Sequence, residues 1–379
     1  MHDTLQIQAQ DRGYRGGFTT AWSRLTPVLQ AADVTYANLE GPIAELVRCD
    51  GSVATSAPRI SFGNSSCESG SVYTGYPLFN AHPSLALDLA ASGVDVVSTA
   101  NNHALDRFAL GADRTLEALD RAGLRHAGTR STTGAGSVHA TTHVKTRGAD
   151  ITLAWVACTF STNGIPDHED QVLSCYDDEG DPNPYVLHAV RTFAEDPDVD
   201  GVIVTPHWGI EYRTRPSQQQ QTLAQALVEA GALAVVGSHP HVLQPLERIV
   251  SGEREALVMY SLGNFVADQP ELPMRTAVVL LLRLAKHYGR TKVESVRFVP
   301  FAMTPWPDAV HGTHTLVPID VRAPHDELSS AVRAVVGQVL PLSRALTVDA
   351  PWITDIAGCA DAGQGNGKVP SSMDGAARR

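Results

Sequence analysis

Three stretches of this chain join an apolar run to a histidine-bearing turn: Asn101-Asn102-His103, His207-Trp208-Gly209 and Gly237-Ser238-His239-Pro240-His241. A fourth, Asn38-Leu39-Glu40-Gly41-Pro42, ends a similar run in a carboxylate. Imidazole, carboxylate and amide oxygen together suit a divalent metal such as Mn, Fe, Co or Zn. The His-x-His pair adds two imidazoles on one side of an extended backbone. A lone histidine among the 15 present says little, because most are satisfied surface or core residues. The recurrence of one local pattern is what points to a metal. One cation, or two, would acidify a bound water and stabilise the oxygens of a tetrahedral or phosphoryl-like transition state, while His103 protonates a leaving group or carries a proton.

The runs that must position these turns are Val34–Ala37, Val94–Thr99, Gly201–Thr205 and Ala232–Val236, short and rich in β-branched residues, as buried parallel strands are. In an open α/β sheet, ligands bind beyond the carboxyl ends of the strands, where residues distant in sequence converge. Apolar spacing of three and four predicts helices over 84–92 and 112–123. Pro216 to Gly231 reads as a helix with Pro in its first turn, Gly at its end, and Leu223, Leu227 and Ala230 on one face. From about Ala256 to Val321 the pattern turns to β, with Ala256–Ser261, Arg275–Leu284 and Lys292–Phe301 as strands of a second sheet. A helix follows from about Asp326 to Ala345, and no internal repeat is present. Residues 1–350 are expected to form one domain, and 351–379, where Gly, Ser, Asp and Ala dominate from Gly358 on, a disordered tail.

In order along the chain, Asn38-Leu39-Glu40-Gly41-Pro42, Ser98 to Asp106, His207-Trp208-Gly209-Ile210-Glu211-Tyr212, Gly237 to His241 and Tyr260-Ser261-Leu262-Gly263-Asn264-Phe265 resemble the CapA-type poly-γ-glutamate capsule synthesis proteins. The resemblance runs from about Asp33 to about Pro305. It implies a calcineurin-like metallophosphatase fold, an α/β sandwich of two mixed β-sheets flanked by helices. It also implies roles. Glu40 would bridge two metals, Asn102 would be an amide ligand, His207 and His239 would bind the second metal and His241 the first. His103 would face the substrate as acid or base, with Asp106 orienting it. Structural alternatives stand beside these: Glu40 capping a turn, Asn102 as a turn residue, Asp106 as a helix N-cap.

The family's opening apolar strand, ending in a Gly-Asp whose Asp binds the first metal, has no counterpart before Asn38. Met1-His2-Asp3-Thr4 reads as what would follow it. Either the start has been assigned late, or the protein lacks that ligand and holds one metal. The first is preferred, because loss of a central strand would expose a neighbouring parallel edge. His2 or Asp3 would substitute only weakly, from a mobile terminus.

Glu211, Tyr212 and Asn264 are expected to line the crevice, with loop packing the alternative for Tyr212. The nearest cations, Arg107, Arg213 and Arg215, lie in no Gly-rich cradle, so a phosphomonoester gains no support. The resemblance implies instead a γ-glutamyl, peptide or cell-envelope substrate. The expected activity is metal-dependent hydrolysis of an amide or ester bond. A non-catalytic capsule-assembly component that binds polymer or synthase partners is the alternative, and peptide epimerisation on the same fold is a third reading.

With 29 basic against 41 acidic residues and a net charge of -12, nucleic acid is not an expected partner. The longest apolar run, Ala277 to Ala285, is broken by Arg283 and far too short to span a bilayer. The chain as written is expected in the cytoplasm, and outside it or membrane-associated if the N-terminus extends further. Five cysteines in no Cys-x-x-Cys spacing exclude a zinc ribbon. Cys49 with Cys67, and Cys158 with Cys175, flank loops that disulfides would close in an oxidising compartment; reduced thiols are the expectation.

Overall fold

The computed structural model of the protein describes residues 2–60, 67, 70–134, 136–145, 150–305 and 313–348. The tail expected over 351–379 lies outside them, as does Cys359. The described chain is α/β, with mixed sheets flanked by helices. Hydrogen bonding resolves the strands into three ladders. The first is parallel, β1 (Tyr36–Asn38), β2 (Val96–Ser98) and β3 (Arg125–Ala127). The second contains β4 (Ala140–Val144), β5 (Ile151–Thr159), β6 (Gly201–His207), β7 (Ala234–Val236), β8 (Leu246–Ser251) and β9 (Arg254–Met259), in the order β4-β5-β6-β7-β9-β8. Its centre is parallel and its two edge strands are antiparallel. The third is antiparallel: β10 (Thr276–His287), β11 (Arg290–Met303) and β12 (Leu316–Pro318).

One strand departs from its expected place. The segment Ala256–Ser261 is expected in the second sheet with β10 and β11, yet β9 pairs in parallel with β7, Val258 opposite Val235. Packing decides this: Ala256 and Val258 are buried against Leu223 and Leu227 of the helix that covers β6 and β7.

The helices are α1 (Asp3–Asp11), α2 (Thr26–Ala31), α3 (Ser84–Ala91), α4 (Phe108–Ala122), α5 (Pro184–Glu195), α6 (Gln218–Ala230), α7 (Leu272–Arg275) and α8 (Glu327–Gly337). In α6 the start falls after Pro216, because Ser217 caps the Gln220 N–H and the Gln220 side chain returns the bond to the Ser217 N–H. Helix α8 stops at Gly337, short of the expected Ala345; a 3₁₀ turn, Leu342–Arg344, follows Pro341 instead. The N-terminus, expected to be mobile, is packed into the fold. Leu5 and Ala9 of α1 are buried, the Thr4 hydroxyl donates to Asp268, and the Asp268 N–H donates to Nδ1 of His2.

Among the hydrophobic cores of the described residues, two lie nearest the ligand-bearing strands. Val202 and Val204 of β6 pack with Val186 and Val190 of α5 and with Leu223 and Leu227 of α6. Val97 of β2 packs with Leu5 of α1, Leu89 of α3, Leu119 of α4, and Leu281 and Phe301 from the antiparallel ladder. Tyr36 of β1 stacks on Trp155 of β5, with ring centroids 5.6 Å apart, and so clamps the small ladder to the large one. The carboxyl ends of β1 and β6 meet across that seam, where the Asn38 amide comes within 3.5 Å of His207 Nδ1. The crevice therefore lies between two ladders rather than along one sheet.

Two disulfides, Cys49–Cys67 and Cys158–Cys175, replace the expected reduced thiols. The paired Cα atoms lie 5.5 and 4.9 Å apart, within the span a disulfide bridges.

Candidate metal centre

His207 is the last residue of β6, and its ring is fully buried. Its Nδ1 lies 2.9 Å from the Ser238 hydroxyl, and its Nε2 lies 3.0 Å from Asn102 Oδ1 and 3.6 Å from Glu40 Oε1. With the Nδ1 proton on Ser238, Nε2 offers a lone pair to the space shared with both oxygens. The Asn102 carboxamide is turned that way because its Nδ2 donates to Asn163 Oδ1 at 3.2 Å. His239 closes the group: Glu40, His207 and His239 each present a ligand atom within 4.8 Å of the others. His239 Nδ1 is buried and has no hydrogen-bond partner among the described residues, a costly arrangement that a Lewis acid would relieve. Two buried imidazoles, an amide oxygen and one carboxylate form a donor set that fits a divalent transition ion.

The backbone around these ligands allows few alternatives. Asn101, fully buried, donates to the carbonyls of Leu39 and Thr99 and accepts from the N–H groups of Gly41 and His103, so one side chain ties the Glu40 turn to the His103 turn. A Cβ on Gly237 would sit 2.2 Å from both the Trp208 indole nitrogen and the Tyr260 carbonyl oxygen. Those two atoms are themselves hydrogen-bonded at 2.9 Å. Only glycine lets the turn after β7 lie that close to the one after β6. His239 (φ 98°) and His241 (φ 60°) both adopt left-handed backbone that non-glycine residues rarely occupy, a strain that concentrates at functional sites.

Electrostatics keep the inner imidazoles neutral. Burial first, then the neighbouring histidines His239, His241 and His103, holds His207 well below its ordinary range. Burial, then His241 and His103, lowers His239 to about 3. Both are therefore unprotonated, as metal binding requires, without needing to shed a proton at neutral pH.

His103 and Asp106 form a buried pair. Asp106 Oδ2 lies 2.7 Å from His103 Nδ1 and also accepts the Phe79 N–H at 2.7 Å. Asp106 does not cap α4, whose N-cap position is Arg107 with no side-chain cap bond. Nε2 of His103 is left for chemistry, with Phe79 edge-on to the ring at a centroid distance of 4.6 Å. Arg107, expected among the cations nearest the ligands, points away. It is fully buried and donates to the carbonyls of Val47, Val72, Leu78 and Asp106 and to the Thr74 hydroxyl, and burial lowers its pKa to about 10.

Two residues expected to face substrate both meet His241. Asn264 sits behind it, its Oδ1 2.8 Å from His241 Nδ1 and its Nδ2 donating to Gln269 and to the Met274 carbonyl. It orients the imidazole. Glu211 Oε1 lies 3.9 Å from His241 Nε2 and groups with His239 and His241. Tyr212 is half-exposed beside the His241 ring. Several contributors carried no separate signal in the sequence. Asn101 and Ser238 sit inside recognised motifs but act through their neighbours. Asn163 and Phe160, whose ring centroid is 4.4 Å from that of His239, come from the loop after β5.

A model of the family described as bacterial capsule synthesis protein PGA_cap matches residues 1–269, most of the chain and every ligand named above. Capsule biosynthesis protein CapA of Bacillus anthracis is 37% identical over 184 residues, covering 47% of this chain and 41% of that protein. PGA biosynthesis protein CapA of Bacillus subtilis (strain 168) is 42% identical over 98 residues, covering 26% of this chain and 25% of that protein. The chain thus matches less than half the length of either relative. Among solved structures, a hypothetical protein from Thermus thermophilus aligns with TM-score 0.36 and 16% identity, over 78% of this chain and 92% of that one. The calcineurin-like phosphoesterase YfkN from Bacillus subtilis aligns with TM-score 0.33 and 13% identity, over 73% and 75%. At TM-scores this low the likeness carries no chemical argument. The family match, with its motifs in order, does: the chain belongs to the bacterial capsule synthesis protein family PGA_cap.

Proposed function

We propose that this protein is a metal-dependent hydrolase acting on an amide or ester bond of a γ-glutamyl, peptide or cell-envelope substrate. The observation that carries the reading is the convergence of Glu40 Oε1, Asn102 Oδ1 and His207 Nε2, with His239 Nδ1 buried and unpartnered, within electrostatic reach of the His103–Asp106 pair. A scaffold has no physical need for such a set. Glu40, Asn102, His207 and His239 would hold the ion, which would supply Lewis acidity toward a scissile carbonyl and water. Asp106 fixes the His103 tautomer, so Nε2 of His103 is the group that delivers a proton to the departing nitrogen or oxygen. Phe79 packs against the same ring and limits its rotation. The capsule-related substrate class comes from the family and from the two CapA relatives. The two disulfides support a location outside the reducing cytoplasm.

The test is cleavage of γ-glutamyl oligomers and small γ-glutamyl amides by the Mn- or Zn-loaded full chain, read by mass spectrometry. His103→Gln is expected to keep its metal and lose about 10²–10⁴-fold in rate. Full metal occupancy with no cleavage of amide or ester would overturn the hydrolase reading; solvent deuterium entering a Cα without cleavage would mean epimerisation instead.

A further inference from the structure

The loop after β6 has no task in the hydrolysis described above, yet it puts a carboxylate and an aromatic ring at the rim of the metal centre. The Glu211 side chain is 45% exposed, and Tyr212 is half-exposed with its ring centroid 5.9 Å from that of His241. The backbone beneath them is fastened. The Tyr212 N–H donates to the Pro240 carbonyl at 2.7 Å and so holds Tyr212 in left-handed backbone, φ 63°. The Tyr212 hydroxyl is held as well. His241 Nδ1 meets Asn264 Oδ1 at 2.8 Å, Asn264 Nδ2 donates to Gln269 Oε1 at 2.9 Å, and Gln269 Nε2 donates to the hydroxyl at 3.5 Å. A second exposed tyrosine, Tyr76, lies within electrostatic reach of Tyr212 and packs on Phe79, the ring that stands against His103.

Charge decides what such a rim attracts. Glu211 meets His241 Nε2 at 3.9 Å, and among the described residues no lysine or arginine lies within ion-pair distance of its carboxylate. An exposed, uncompensated carboxylate beside two exposed tyrosine rings suits a ligand ammonium, through a charge-assisted hydrogen bond and the ring faces. Reach agrees. A Glu211 oxygen lies within 4.8 Å of ligand atoms of both His239 and His241. In a γ-glutamyl group the α-nitrogen stands about 5 Å from the γ-carbonyl carbon when extended, so a carbonyl at the metal centre can bring that nitrogen to Glu211. Along a γ-linked chain the α-nitrogen is an ammonium only at the amino end. Elsewhere it is an uncharged amide, with nothing to offset the α-carboxylate beside it.

We propose that Glu211, with the rings of Tyr212 and Tyr76, recognises the free α-ammonium of a γ-glutamyl unit, so that the enzyme removes glutamate one unit at a time from the amino end of its substrate. In each event the oxygen of water adds to the γ-carbonyl carbon and the C–N bond breaks. His103 Nε2 gives a proton to the departing nitrogen and regains one from the water, leaving free glutamate and a chain one unit shorter. This rests on the proposed hydrolase, and binding measurements separate the two.

The probes are γ-glutamylglutamate and its N-acetyl derivative, titrated by calorimetry into Mn-loaded full-length His103→Gln and assayed for cleavage with the wild type. The free amine is expected to bind about 10–100-fold more tightly than the acetylated form. Adding Glu211→Gln should bring the free amine down to the acetylated level and leave the acetylated form unchanged; Tyr212→Phe, which keeps the ring, should retain the preference. Near-UV circular dichroism checks folding, and the exposure of both side chains leaves the core untouched. Equal affinity for the two probes, or binding of neither, would overturn the assignment. So would equal weakening of both probes by Glu211→Gln, because Glu211 would then serve the ion rather than the amine. Cleavage of both probes with the same KM would overturn it while leaving the hydrolase standing. The preference without any cleavage by the wild type would uphold the recognition site and sink the hydrolase.

Discussion

The two ligand groups that meet at His239 are built differently. On one side, Glu40, Asn102 and His207 lie at or just past the carboxyl ends of strands, His207 is fully enclosed, and Glu40 is 24% exposed. On the other, Glu211 comes from a surface loop, is 45% exposed, and reaches His241 at 3.9 Å. Ligands on sheet ends are preorganised and lose little freedom on binding, whereas a loop carboxylate must be ordered first. The difference teaches that the ligands on strand ends are positioned before any ion arrives, while those on the surface loop are not.

The largest expected effect is at the shared residue. His239→Ala should weaken metal binding by more than the roughly 10–100-fold that loss of an outer hydrogen-bond partner costs. Equilibrium dialysis with elemental analysis would measure it, and wild-type affinity in the variant would show that His239 is not a ligand. Next come the two residues that orient the imidazoles from behind. Ser238→Ala, behind His207, should weaken metal binding by about 10–100-fold, and Asn264→Ala, behind the more exposed His241, by less. Equal losses in competitive titrations would mean that the two imidazoles serve the ion alike.

The smallest effect is on the pH dependence of the metal-free protein. Burial lowers His239 to about 3 and His207 well below its ordinary value of 6.5, so the unfolded chain binds more protons than the folded one between those values. Stability should therefore be full above about pH 6.5 and fall as pH drops below it. His139, buried and lowered to about 4, adds to the same slope from outside the centre. Thermal melts of metal-free wild type and His239→Ala between about pH 5 and 7.5 should show a shallower slope in the variant. Equal slopes would mean that His239 is not held neutral by its surroundings.

Much of this was legible in the sequence, for physical reasons. The β-branched runs before Asn102, His207 and His239 do form β2, β6 and β7, because strands buried on both faces must be apolar throughout. The Pro216 and Gly231 signals bracket α6, although the Ser217 cap rather than the proline sets its start. Strand β5 is as apolar as β6 but ends in no histidine, and a reading led by ligands passes over it. Strands β1, β2 and β3 are three residues each, too short to declare that they form a ladder of their own. Pairing across the seam, as in Tyr36 on Trp155, depends on contacts that no local pattern encodes. The same holds for Asn264: its place in a recognised motif marks it as important, while its position behind His241 is a property of the folded chain. The disulfides required loop paths that spacing alone does not give.

Cys158 lies opposite Pro206 in the β5–β6 register, one residue before the pair Thr159 and His207, and its bond to Cys175 closes the loop that carries Phe160. The Phe160 N–H is bonded to the His207 carbonyl, and its ring leans on His239. A covalent tether thus holds an aromatic wall against the inner imidazoles. Reducing that bond would therefore loosen the ligands through Phe160, without touching any residue that offers a donor atom.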